Sequence, residues 1–252
     1  MVELPVYLWA ITLVGVVAIL GSTCLVLARG AQRAGLGRAS AALLGGVAAL
    51  LLGGWAVVSG IIAASGGYHA RFGHQPLWLP VAVVGALTVT LTAARTPWVV
   101  RAVGAPGMLR SLTLPHTFRV AGVCFLITMA LGHLPPLFAL PAGLGDIATG
   151  VAAPFVARRL TRGAGHRAAV WFNVMGLTDL VVALALGGLT ASTLVGVAPS
   201  ADANLWLPLA LIPTAVVPLL IVMHITSLRR LSAVARTASA HRGSEAVGVA
   251  SS

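Results

Sequence analysis

Residues 132–159 read "GHLPPLFALPAGLGDIATGVAAPFVARR". A Gly/Pro-rich turn leads into an apolar run of about twenty residues, the length needed to cross the hydrocarbon of a bilayer as a helix. The run stops at Arg158 and Arg159, which belong in headgroups or water. One residue disagrees with its surroundings. With entry at Leu137 and a rise of 1.5 Å per residue, Asp146 lies roughly 13 Å deep, close to the midplane. The whole chain has five acidic residues, so a carboxylate at that depth requires a physical reason.

The remainder of the chain repeats this pattern. Of 252 residues, 58% are hydrophobic and 8% charged, with mean hydropathy +0.99. That composition excludes a soluble globular domain and predicts an all-α, multi-pass transmembrane helical bundle. Seven apolar runs mark spans, at 5–28, 40–64, 77–94, 116–132, 137–157, 168–190 and 206–227. The fourth is short and close to the fifth, so a re-entrant hairpin is the alternative there. Residues 1–231 make up the transmembrane domain, and the small, polar stretch 232–252 reads as a disordered tail.

All sixteen basic residues are arginines, giving a formal charge of +11. They fall in short loops rather than on one continuous face, which excludes a nucleic-acid surface. Arg29, Arg33 and Arg38 follow span one, and Arg95, Arg101 and Arg110 follow span three. Arg158, Arg159, Arg162 and Arg167 follow span five, and four more lie in the tail, whereas Arg71 stands alone on the other side. The asymmetry predicts the N-terminus outside and the C-terminus inside, with anionic lipid headgroups against the inner loops of a bacterial plasma membrane. Segment 95–115 is expected to lie along that inner interface. With no Lys, no retinal-type Schiff base can form on a side chain. Cys24 and Cys124 sit in apolar runs as small hydrophobes.

"GHQPLWLP" (73–80), "GHLPPLFALP" (132–141) and "NLWLP" (204–208) echo one another, each at the outer start of a span. Interfacial Trp and first-turn Pro account for the likeness, and descent from a repeated helical hairpin is the alternative.

Asp179, in span six, lies roughly 16 Å from its inner end. Helical steps of three and four read Ala139, Gly143, Asp146, Gly150, Ala153 on one span and Gly176, Asp179, Ala183, Gly187 on the next. Both aspartates thus ride on small-residue stripes of the kind that let helices pack closely, and a carboxylate is expected to face the bundle interior rather than lipid. Arg119, roughly 20 Å below the outer end of span four, is the available counter-ion, and Asn173 is placed to add hydrogen bonds. "FALPAGLGD" and "FNVMGLTDL" around the two aspartates resemble motifs of bacterial integral membrane proteins, a resemblance that assigns no roles.

Histidines offer two further sites. His69, His74 and His133 lie in outer loops where a metal ion is conceivable, without a strong ligand spacing. His116 and His224 lie near the inner ends of spans four and seven; a haem held by two histidines would want facing imidazoles within the bundle, and His224 is the one candidate well inside a span. No Walker A, GxGxxG, GxSxG, HExxH or CxxC pattern occurs, so no cofactor is predicted beyond those two options. The leading expectation is a site built from Arg119, Asp146, Asp179 and Asn173 that binds or moves a proton, an ion or a small molecule. An interaction or accessory subunit, packing against its own copy or another membrane protein, is the alternative. A membrane-embedded enzyme or haem carrier is the third.

Overall fold

The computed structural model describes residues 4–70, 72, 75–192 and 194–250, with 238–250 as backbone alone. Among the described residues, six helical segments are long and apolar enough to cross a membrane, or seven if one bent pair counts as a single span. The all-α, multi-pass architecture follows directly. Helices α1 (Val6–Arg33) and α2 (Arg38–Ala64) form the first two spans. Helix α3 (Trp78–Ala93) covers only about 24 Å of axis by itself. It meets α4 (Pro97–Gly104) at a 74° bend. The bend has a local cause: a residue before proline is pushed out of the helical region, and Thr96 is extended at ψ 143°.

Span four runs over Met108–Ala130 and is not uniform. It consists of α5 (Met108–Thr113), a 3₁₀ stretch at Leu114–Gly122 and α6 (Val123–Ala130). A nine-residue 3₁₀ run is long, and its narrower coil lets a neighbour approach closely. The span therefore starts at 108 rather than 116, and only the first part of segment 95–115 lies off the spans. Arg110 and Pro115 lower the local hydropathy and hide the true start.

Helix α7 (Pro136–Thr161) packs its small stripe on that 3₁₀ stretch. A side chain at Gly150 would come within 2.7 Å of the Val120 amide nitrogen, and one at Gly143 within 2.7 Å of Leu126. The opposite side of α7, with Leu137, Leu144, Val151 and Phe155, is exposed to the surroundings, as a lipid-facing surface should be. Helix α8 (His166–Ala191) packs antiparallel on α7 and also against α9 (Val217–Ala250).

The last span begins at Ile212 through a π-helical turn and continues as α9. Residues 206–210, where the sequence places its first turn, form turns and irregular backbone after a 3₁₀ turn at Ala201–Leu205. Every residue from Thr214 to His224 is buried, which makes this the central helix, and its all-round apolar sequence "TAVVPLLIVMH" suits that position. Helix α9 runs on to Ala250.

Helix α2 buries only Ala41, Ser59 and Ala63, and α3 only Val83. The two helices line an apolar groove of about 1220 Å³ floored by α1 and α9. At one end of it Ser59 Oγ shares hydrogen bonds with Tyr68 (3.0 Å) and Thr214 (2.6 Å). Burial pushes the Tyr68 phenol above its ordinary pKa.

Candidate functional site

Arg119 projects from the 3₁₀ stretch into the middle of the bundle and is 2% exposed. A buried guanidinium needs partners for its five donors. Its Nε donates to Asp146 Oδ1 on α7 at 2.7 Å, and Nη2 donates to Asp179 Oδ2 on α8. Nη1 points to the Gly176 carbonyl at 3.5 Å and to His224 Nε2 on α9 at 3.3 Å. One side chain thus joins four spans.

The hydrogen bonds decide the His224 tautomer. Arginine has only donors, so Nε2 must be the acceptor. Nδ1 then carries the proton and donates to Asn173 Oδ1 at 2.9 Å. The amide orientation agrees, because Asn173 Nδ2 donates to the Ala169 carbonyl at 2.7 Å. His116, also fully buried, stacks on His224 with ring centroids 4.1 Å apart and meets Phe172 edge-on at 5.6 Å. Neither of its ring nitrogens has a hydrogen-bond partner.

Three glycines make room for these groups. A Cβ at Gly122 would lie 2.3 Å from the Asp146 Cβ, and one at Gly176 2.6 Å from the His224 ring. At Gly145 it would lie 1.7 Å from Asp179 Oδ1. None of these positions accepts a larger residue without displacing a charged or hydrogen-bonded group. "GLGD" (143–146) and "GLTD" (176–179) share one pattern, a glycine a helical turn before each aspartate, and that repetition is the sequence signal for the cradle.

The expected residues are distributed as follows. Arg119, Asp146 and Asp179 come together directly. Asn173 does not touch either carboxylate; it orients His224, which bonds Arg119. His116 and His224 join this cluster instead of facing each other across a gap. Stacked imidazoles 4.1 Å apart leave no space between them for a porphyrin plane, so the bis-histidine haem option has no seat there. His69 lies against Trp206 at 5.2 Å, His133 sits in the turn before α7, and His74 falls outside the described residues. Among the described residues, no group of three or more His, Cys, Asp or Glu side chains is placed to hold a metal ion.

The electrostatics are simple to count. Two carboxylates face one guanidinium, and the neutral His224 tautomer adds no charge. Ionised carboxylates would leave the cluster at −1 in a low-dielectric setting, a charge that one bound proton or cation removes.

Neither a curated protein nor a solved structure matches the chain. Residues 76–232 match the family DUF8737, a domain of unknown function, and this is more than half of the chain, so it belongs to that family. The matched segment contains all six polar side chains of the cluster; α1 and α2 precede it.

Proposed function

We propose that this DUF8737 membrane protein binds a proton at the Arg119–Asp146–Asp179 cluster and passes it across the bilayer. The observation that carries the reading is the sharing of one buried guanidinium by two carboxylates from consecutive antiparallel spans. Such a cluster is one charge short of neutral, and an ionisable group held at mid-membrane is a functional signature. A proton is favoured over a small-molecule ligand because the void beside Asp146 has a volume of only about 30 Å³. The arginine-rich loops are assigned to the cytoplasmic side of a plasma membrane, against its anionic headgroups.

The test is proton flux into vesicles loaded with a pH-sensitive dye, driven by a potassium diffusion potential. The wild-type protein should acidify the lumen above the leak of empty vesicles. Asp146→Asn and Asp179→Asn, each confirmed as monodisperse by size exclusion, should fall to that leak. Wild-type vesicles indistinguishable from empty ones would refute the proposal and leave the cluster as a structural clamp.

A further inference from the structure

Arg119 engages Asp146 through Oδ1, whereas Oδ2 lies over Gly122. Gly122, Asp146 and Arg119 together form one wall of a small cavity of about 30 Å³. A cavity needs only about 10–15 Å³ to hold a water molecule, provided the water finds two or more polar partners. Helix α1 also lines the cavity and contributes Thr12. Its hydroxyl is buried, at 2% residue exposure, and Oγ1 makes no hydrogen bond with nitrogen or oxygen. It lies beside the Cys124 thiol, a weak partner. A buried hydroxyl in that state costs free energy unless something fills the gap.

We infer that this cavity is a binding site for a single water, held between Thr12 Oγ1 and Asp146, and that this water exchanges protons with the Asp146 carboxylate. Its role as proton donor rests on the function proposed above; the water site itself rests on the cavity and its polar walls. A metal cation is the wrong occupant. Val16, Ile19, Leu180 and Val216 supply no oxygen ligands through their side chains, and the Arg119 guanidinium in the same wall repels a second cation. The transfer balances without a co-reactant. An excess proton arrives on the water, an O–H bond of that hydronium breaks as the carboxyl O–H forms, and neutral water remains. The reverse step returns the proton: the carboxyl O–H breaks as an O–H bond to the water forms. α1 thereby completes the site from outside the family-matched segment.

Two measurements separate the site from its role. Infrared difference spectra of the purified protein in H₂¹⁶O and H₂¹⁸O should show a narrow, isotope-shifted O–H stretch from an isolated water. Thr12→Val, which keeps the shape and removes the hydroxyl, should abolish the band; Thr12→Ser should retain it. Asp146→Asn should move its frequency, which gives an independent check should Thr12→Val fold poorly. A wild-type protein without an isolated-water band overturns the site. In the vesicle assay Thr12→Val should lose flux and Thr12→Ser should keep it. Unchanged flux in Thr12→Val, or absence of flux in the wild type, overturns the relay role, whereas the infrared band still decides whether the water is there.

Discussion

Replacing Arg119 by Met removes the cation and retains most of the side-chain volume. In the wild type, Nε lies 2.7 Å from Asp146 Oδ1 and Nη2 bonds Asp179, so the substitution strands two carboxylates at once. Removing one partner of a buried ion pair typically costs about 3–5 kcal/mol, chiefly from the charge left behind. For a domain of this size, each kcal/mol lowers the melting temperature by about 2–4 °C, so the expected drop is on the order of 10 °C. The charge count makes the prediction specific. Asp146→Asn or Asp179→Asn leaves one carboxylate against one guanidinium, and each should stay within about 1 kcal/mol of wild type. The double variant Asp146→Asn/Asp179→Asn strands the guanidinium and should cost about as much as Arg119→Met. Adding Arg119→Met to that double variant leaves no charge and should recover much of the loss, a non-additivity diagnostic of direct coupling. Thermal unfolding in detergent, followed by tryptophan fluorescence, measures all five proteins. If either single aspartate variant proves as damaging as Arg119→Met, or the triple variant shows plain additivity, the shared-counter-ion argument is wrong.

Gly145→Ala would set a Cβ 1.7 Å from Asp179 Oδ1 and should destabilise by several degrees, whereas Gly46→Ala, on α2 with open space around it, should match or exceed wild type in the same melting assay. In ¹⁵N NMR of selectively labelled protein, His224 should show the Nδ1–H tautomer, and Asn173→Leu should change that signal by removing its acceptor. Cysteines introduced singly at Gln75 and Arg162 in a Cys24→Ala/Cys124→Ala background should differ in labelling by a membrane-impermeant maleimide: Gln75→Cys should react in intact cells, and Arg162→Cys only after permeabilisation. Labelling of both from one side would contradict the assignment of arginine-rich loops to the cytoplasm.

Several features were legible along the chain because they depend on one helix at a time. Apolar run lengths identified the spans, and the 1.5 Å rise placed Asp146 and Arg119 within side-chain reach in depth. The small-residue stripes pointed both aspartates inward. Features that depend on rotation and contact between spans were not legible. The stripe of Gly143 and Gly150 meets the 3₁₀ stretch of span four, not α8, and the residue that faces Asp179 is the off-stripe Gly145. Asn173 lies close to Asp179 in sequence, yet its side chain bonds His224 because both α8 and α9 present those faces to each other. Span four also starts earlier than its hydropathy indicates, since Arg110 and Pro115 interrupt an otherwise continuous segment.

By itself the sequence determined a multi-span helical membrane protein with two carboxylates and one arginine inside its apolar spans. Depth is a property of the order of residues, and composition settles which of them prefer lipid. The tertiary structure decided that a single guanidinium serves both carboxylates, that His224 accepts from it in one tautomer, and that Thr12 of α1 closes the cavity beside Asp146. Those outcomes are set by the azimuth of each helix and by the close approach that Gly122, Gly145 and Gly176 permit, and these arise only when the spans pack.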